Sequence, residues 1–293
     1  MNNLKKTSLA VIILSFTCGI DFLSCDEVKN DDYTKAKIKT PTNDYQVVVQ
    51  IYSFGGIVGC TAASIEQSGE AITDAEIIIN DVTVVCDTSS EYSPMYFDTS
   101  TAISYLEHTE YEMEVRHNGE TIATGNAIMP STPIITSPTS PYTHQLNKSL
   151  TIKWEKVQDA TAIEFDIYND SDEDEHEIDT LLSPLKTSFT VPASFFDTTG
   201  EYYIGIIAYN GINYDTDYSR YVDNEGNFTK SINMSGGAGE FIVMNFYPVS
   251  DEGFIITIND ESLGKPTQFT RSKKSYKEIR QERLQRKLNR FGF

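Results

Sequence analysis

Scattered histidines, a pair of cysteines, an alternating acidic run and a tyrosine-rich stretch are the residues of this chain with chemistry to offer. His108, His117, His144 and His176 each lie in polar, loop-like surroundings, which reads as surface histidine. No GxSxG, HExxH, Walker A or GxGxxG pattern is present. Carboxylates are so abundant that a pair at glycosidase-like separation arises by accident, so paired acids carry no information. The expectation is a protein without enzymatic activity and without a cofactor.

Metal binding is the next chemistry to weigh. In "NDSDEDEHEID", residues 169–179, Asp170, Asp172 and Asp174 alternate, and hard Ca2+ needs several carboxylate oxygens within one turn. However, Glu175 stands where a turning glycine is needed, and Leu181 where a bidentate carboxylate is needed. The run reads as a solvated loop between two strands. No CxxC or Cys/His cluster exists to hold structural zinc. No metal site is expected.

Two further sets remain. "YNGINYDTDYSRYVDNEGNF" interleaves Tyr209, Tyr214, Tyr218 and Tyr221 with Asp and Asn. A tyrosine offers an apolar face and a polar tip, suited to stacking on a sugar or anchoring a protein partner. These four form the candidate ligand-binding set, the alternative being tyrosines that cap a sheet edge. Cys60 and Cys86 both sit in strand-like stretches, "IVGCTAASIEQ" and "VTVVCD". In an oxidising compartment a bridge between them is expected, with two buried thiols as the alternative.

The elements that must position these residues are strands. "YQVVVQIYSF", "AEIIINDVTVV" and "YEMEVRH" are rich in β-branched and aromatic residues. Asn118-Gly119 between "YEMEVR" and "TIATGNAIM" predicts a hairpin. No long segment before the tail repeats apolar residues at helical spacing, so the body is all-β. Prolines 130, 133, 138 and 141 mark a stiff boundary, placing one β-sandwich over 44–130 and a second over 131–264.

In the second segment, "LTIKWEKV" carries Trp154, "AIEFDIYND" alternates Ile163, Phe165 and Ile167, and "SFTVP" and "EYYIGIIAYN" follow. That order resembles a fibronectin type III or immunoglobulin-like sandwich over about 131–260, which implies a buried Trp154. "GEFIVMNFYPV" and "GFIITIND" are expected to supply its closing strands. "GEAITDAEIIIN" with "YEMEVRHNGETIATGNAIMP" resembles the small sandwiches of many envelope lipoproteins, a likeness of fold alone.

The start of the chain bears on compartment. Lys5 and Lys6 precede a mostly apolar run, Leu9 to Ile20, too short to span a membrane but fitting a secretory signal. It ends in Leu23-Ser24-Cys25, which resembles a bacterial lipobox with Phe22 at the usual aliphatic position. The resemblance implies a signal peptide over 1–24, an acylated Cys25 and a flexible tether over 25–43. Asp26, Glu27, Asp31 and Asp32 then resemble the surface-export signal of some Gram-negative lipoproteins, although an Asp at this place retains others in the inner membrane. A membrane-anchored envelope protein is expected, with the outer membrane or cell surface favoured.

The formal net charge is -20, distributed as +8 on residues 265–293 and -28 on the rest. An acidic body repels nucleic acid, so none is expected as a partner. "SKKSYKEIRQERLQRKLNRFGF" has the only helical pattern, with Tyr276, Ile279, Leu284, Leu288 and Phe291 on a broad apolar face. A basic C-terminal helix is expected, to dock on the acidic body, meet anionic lipid or polysaccharide, or remain solvated. The function that follows is an envelope binding or scaffolding module with a glycan or envelope protein as partner. The alternative is the carbohydrate-binding component of a surface glycan-uptake system.

Overall fold

The computed structural model describes residues 45–56, 58–87, 95–98, 102–169, 177–212, 214, 232–248 and 254–259. The expected leader, Cys25 anchor, tether and basic C-terminal helix lie outside the described residues.

Nineteen strands are formed among the described residues. The first nine are β1 Tyr45–Phe54, β2 Val58–Gln67, β3 Glu70–Ala71, β4 Glu76–Ile79, β5 Val82–Val84, β6 Cys86–Asp87, β7 Met95–Asp98, β8 Glu110–His117 and β9 Glu120–Ile128. Then come β10 Ile135–Ser137, β11 Tyr142–Gln145, β12 Leu150–Trp154, β13 Ala162–Asn169, β14 Glu177–Leu182, β15 Ser188–Val191 and β16 Gly200–Asn210. β17 Met234–Gly236, β18 Ala238–Tyr247 and β19 Phe254–Asn259 complete the set. A single 3-10 turn, Ala193–Phe195, is the only helical element among the described residues. The all-β expectation holds.

These strands make one large sheet and two small ones. The large sheet has eleven strands, with β11-β19-β16-β18-β1-β2-β7-β6 as its main path, β14 and β13 joined beside β16, and β3 beside β2. A five-stranded sheet, β17-β9-β8-β4-β5, belongs with the first core, and a three-stranded sheet, β10-β12-β15, with the second. The predicted hairpin joins β8 to β9 through Asn118 and Gly119, both at positive φ (53° and 79°), as a tight two-residue turn requires.

The second core follows the resemblance drawn from the sequence. Leu150, Ile152 and Trp154 of β12 face Ile163, Phe165 and Ile167 of β13. Trp154 is 3% exposed and stacked on Phe165 at 6.1 Å between ring centroids. The three-stranded sheet opposite β14-β13-β16-β19 is the strand distribution a fibronectin III-like sandwich implies.

The expected separation into 44–130 and 131–264 does not describe the packing. β18 pairs in parallel with β1 over nine positions, from Gln46↔Ala238 to Phe54↔Phe246, while its second half pairs antiparallel with β16. β17 extends the five-stranded sheet by pairing with β9. β17 and β18 therefore contribute to both sheets around the first core, and "GEFIVMNFYPV", residues 239–249, expected to close the second sandwich, runs along β1 as well as β16. Along one face of β18, Phe241 and Val243 enter the first core and Tyr247 packs against the second. Gly239 makes this approach possible: its φ is 118°, and a Cβ there would lie 2.0 Å from the Val47 carbonyl oxygen.

The proline-rich connection is pinned at this seam. The Asn245 amide group donates to the Pro130 carbonyl at 2.9 Å and to Thr132 Oγ1 at 3.2 Å, while its oxygen accepts from the Gly55 amide at 3.1 Å. Glu107 accepts from the Thr132 backbone amide at 2.9 Å, and Ser131 and Gln158 exchange two hydrogen bonds. One continuous sheet, not a flexible joint, unites the two halves.

Candidate functional site

The four tyrosines of the predicted ligand set part company. Tyr209 lies on β16 between β13 and β18, is 1% exposed, and donates to Glu164 Oε2 at 2.7 Å. It is a core residue, which corrects its assignment to a ligand surface: β16 runs on to Asn210, so Tyr209 belongs to the sheet and not to the loop. Tyr214 is exposed, at 43%. Tyr218 and Tyr221 lie outside the described residues, as does 170–176 of the acidic run.

Cys60 and Cys86 are not joined. Cys60 pairs with Tyr52 across β2 and β1 and packs on the outer face of the large sheet. Cys86 pairs with Tyr96 across β6 and β7 and packs against the first core, on the inner face. With the sheet itself between the two thiols, the expected disulfide has no path. Burial pushes the Cys60 thiol up to about 12.

The histidines are not uniformly superficial either. His117 is 8% exposed, at the hairpin end of β8. Its Nδ1 lies 2.8 Å from the Tyr45 hydroxyl and its Nε2 lies 3.1 Å from Asp74 Oδ1. The Tyr45 ring meets the imidazole edge-on at 5.6 Å. This row of three fixes the first residue of β1 to the β8–β9 hairpin. His108 Nδ1 lies 2.6 Å from Asp159 Oδ2, an exposed contact spanning the connection between the two halves. His144 Nε2 lies 3.0 Å from the Lys148 carbonyl, a local loop contact. His176 lies outside the described residues.

The feature that sequence reasoning missed is on the outer face of the large sheet, away from both small sheets. Tyr52, Phe54, Ile207, Ile242, Met244 and Phe246 form a buried apolar cluster there that runs across the seam. Polar groups are set into it. Tyr52 donates through its hydroxyl to Gln50 Oε1, and Gln50 Nε2 donates to Glu240 Oε1 at 2.5 Å. Glu240 is 2% exposed, and its second oxygen has no hydrogen-bond partner. Burial raises the Glu240 carboxyl from 4.5 to about 7, only partly offset by the bond from Gln50. Burial likewise raises the Tyr52 phenol well above its ordinary range, with Cys60 and Glu240 adding to it. A polar residue inside an apolar run, as in "VVVQIY" and "AGEFIV", was the available signal.

No family model matches the sequence, and no curated protein does. Solved structures similar to parts of the chain include fibronectin(III)-like modules of Clostridium thermocellum CbhA. They are 13% identical, with 77% of this chain and 99% of that chain covered and a TM-score of 0.25. The FN1-FN3 domains of chicken CNTN1 are 12% identical over 58% of this chain and 59% of that one, with a TM-score of 0.26. A bacterial ice-binding adhesin is 10% identical over 75% and 67%, with a TM-score of 0.23. At these scores the fold rests on the strand pairing described above.

Proposed function

We propose that the protein is a non-enzymatic binding or scaffolding module of the bacterial cell envelope, carried on an acylated Cys25. The observation that supports this reading best is the shared strand β18, which joins two core regions into one sheet and suits a stiff platform. β1 begins at Tyr45, directly after the segment read as tether, so only a short stretch of sequence separates the platform from Cys25. The outer membrane or cell surface is its proposed location, with a glycan or an envelope protein as partner.

A surface glycan-uptake role is the second reading. The exposure of Tyr214 favours it, while the burial of Tyr209 removes one member of the proposed stacking set.

Detergent partition tests the first reading. The full chain should enter the detergent phase and Cys25→Ala should remain aqueous; a variant still in detergent would end the lipoprotein assignment. For the second, polysaccharide retention should be lost in Tyr214→Ala with its melting temperature unchanged. Undiminished retention would remove Tyr214 from the site.

A further inference from the structure

The first half of β18 is held on one side only. β1 pairs with β18 from Ala238 to Phe246, whereas the pairing with β16 starts at Val243. Among the described strands, residues 238–242 therefore have β1 as their single neighbour in the large sheet. Phe241 of this stretch is fully buried in the first core, so parting it from β1 would open that core.

Glu240 sits in the middle of this stretch, opposite Val48. Gln50 Nε2 donates to its Oε1 at 2.5 Å, and the Gln50 oxygen is itself taken by the Tyr52 hydroxyl. The bond from Gln50 is thus a side-chain tie between β1 and β18. Glu240 is 2% exposed, and its Oε2 has no hydrogen-bond partner. A neutral carboxyl forgoes one hydrogen bond in such a place. A carboxylate there would keep a full charge out of water with a single donor, which is far more costly.

The surrounding groups supply no cation. The titratable neighbour on β1 is Tyr52, and on β2 it is Cys60, with Glu66 farther along the same face. β16 presents Tyr209, bonded to Glu164 of β13. The strands of the large sheet carry no Lys or Arg, and no ion pair among the described residues includes Glu240. Every titratable neighbour is neutral or acidic, so an ionised Glu240 gains nothing by staying inside.

We infer that Glu240 is a pH-dependent latch on the seam between the two halves. Protonated, it lets residues 238–242 lie along β1. Ionised, it draws that stretch into water, while β17 stays on β9 and the second half of β18 stays on β16. The direction follows from burial, which raises the carboxyl from 4.5 to about 7. Closure is firmest in acid, weakens as pH rises between those two values, and is level above them. The latch does not depend on the envelope role proposed above.

Residue-resolved amide exchange on the full chain tests it. Corrected for intrinsic exchange, protection of amides in 46–50 and 238–242 should fall about tenfold per pH unit from about pH 5 to 7, then level off. At pH 8 these amides should exchange faster than those of β12. Equal rates would mean that the whole fold opens at once, and would overturn the latch. The carboxyl carbon resonance of Glu240 should titrate over the same range, and titration among ordinary carboxylates would overturn it too. Glu240→Gln should abolish the pH dependence, and Gln50→Leu, lacking the one donor, should move the fall to higher pH. A fall that persists in Glu240→Gln would assign it to another group. Exchange and titration of the unaltered chain decide the matter even if a variant does not fold.

Discussion

The side chain of Asn245 reaches across 115 positions of sequence to hold the carbonyl of Pro130 at 2.9 Å, at a site with no solvent exposure. The same side chain bonds Thr132 and Gly55, so one residue of β18 closes the connection between the halves onto the strand they share.

Asn245→Ala should therefore cost more than a surface substitution. It strands the buried Pro130 carbonyl, at about 1 to 3 kcal/mol for a group left unsatisfied, while the Gly55 amide keeps its bond to the Phe246 carbonyl. Chemical denaturation should show a lower midpoint. If the halves are coupled as the shared sheet implies, the transition of the unaltered protein is single, and the variant's broadens or splits.

Glu240 makes stability depend on pH in a defined direction. Its folded value, about 7, stands above the ordinary 4.5, so between the two the folded chain holds a proton that the unfolded chain has released. This group's contribution falls as pH rises from about 4.5 to about 7 and is level above that. The whole span corresponds to about 3 kcal/mol. Glu240→Gln should flatten that part of the profile and raise the melting temperature at pH 8. A profile that keeps its slope would assign it to another group.

Trp154 is the only tryptophan and serves as a reporter on the second core. Its emission should be blue-shifted and resist iodide quenching. Trp154→Ala should lower stability by about 3 to 5 kcal/mol. Trp154→Phe should retain more, because the stack on Phe165 persists.

The tyrosines near residue 210 should separate by mutation. Tyr209→Phe removes a buried hydroxyl bonded to Glu164 and should cost about 0.5 to 1.5 kcal/mol, the net worth of a typical intramolecular hydrogen bond. Tyr214→Ala should lie within about 0.5 kcal/mol of the unaltered protein, as exposed sites generally do. Equal effects would contradict the placement of Tyr209 inside the sheet.

Cys60 should be inert. With its thiol pushed up to about 12, almost none is thiolate near neutral pH, and thiolate is the reactive form. Alkylation of the native protein at pH 8 should leave Cys60 unmodified, and denaturant should release it. Rapid native labelling would place the thiol in water.

Strand content, the hairpin at Asn118-Gly119 and the burial of Trp154 were legible because each depends on neighbours within a few residues. The destination of 234–247 was not. The run "AGEFIVMNFY" is buried along nearly its whole length, which marks a strand covered on both faces. Nothing in that run names β1, some 190 residues earlier, as its parallel neighbour. Cys60 and Cys86 show the same limit. Each was placed in a strand, but strand number and facing, which put them on opposite sides of the sheet, are properties of the assembled order. Tyr209 was misread because the pattern of loop residues after it was extended one strand end too far.

The parallel register between β1 and β18 also governs how the body would bear tension. A pull on the chain ahead of Tyr45, opposed at the far end of β18, slides the two strands along each other. The ladder over nine positions is then loaded all at once, whereas a hairpin pulled at its open end parts one bond at a time. The seam that organises the fold thus resists force applied between these two points by shear along its whole ladder, not by unzipping from one end.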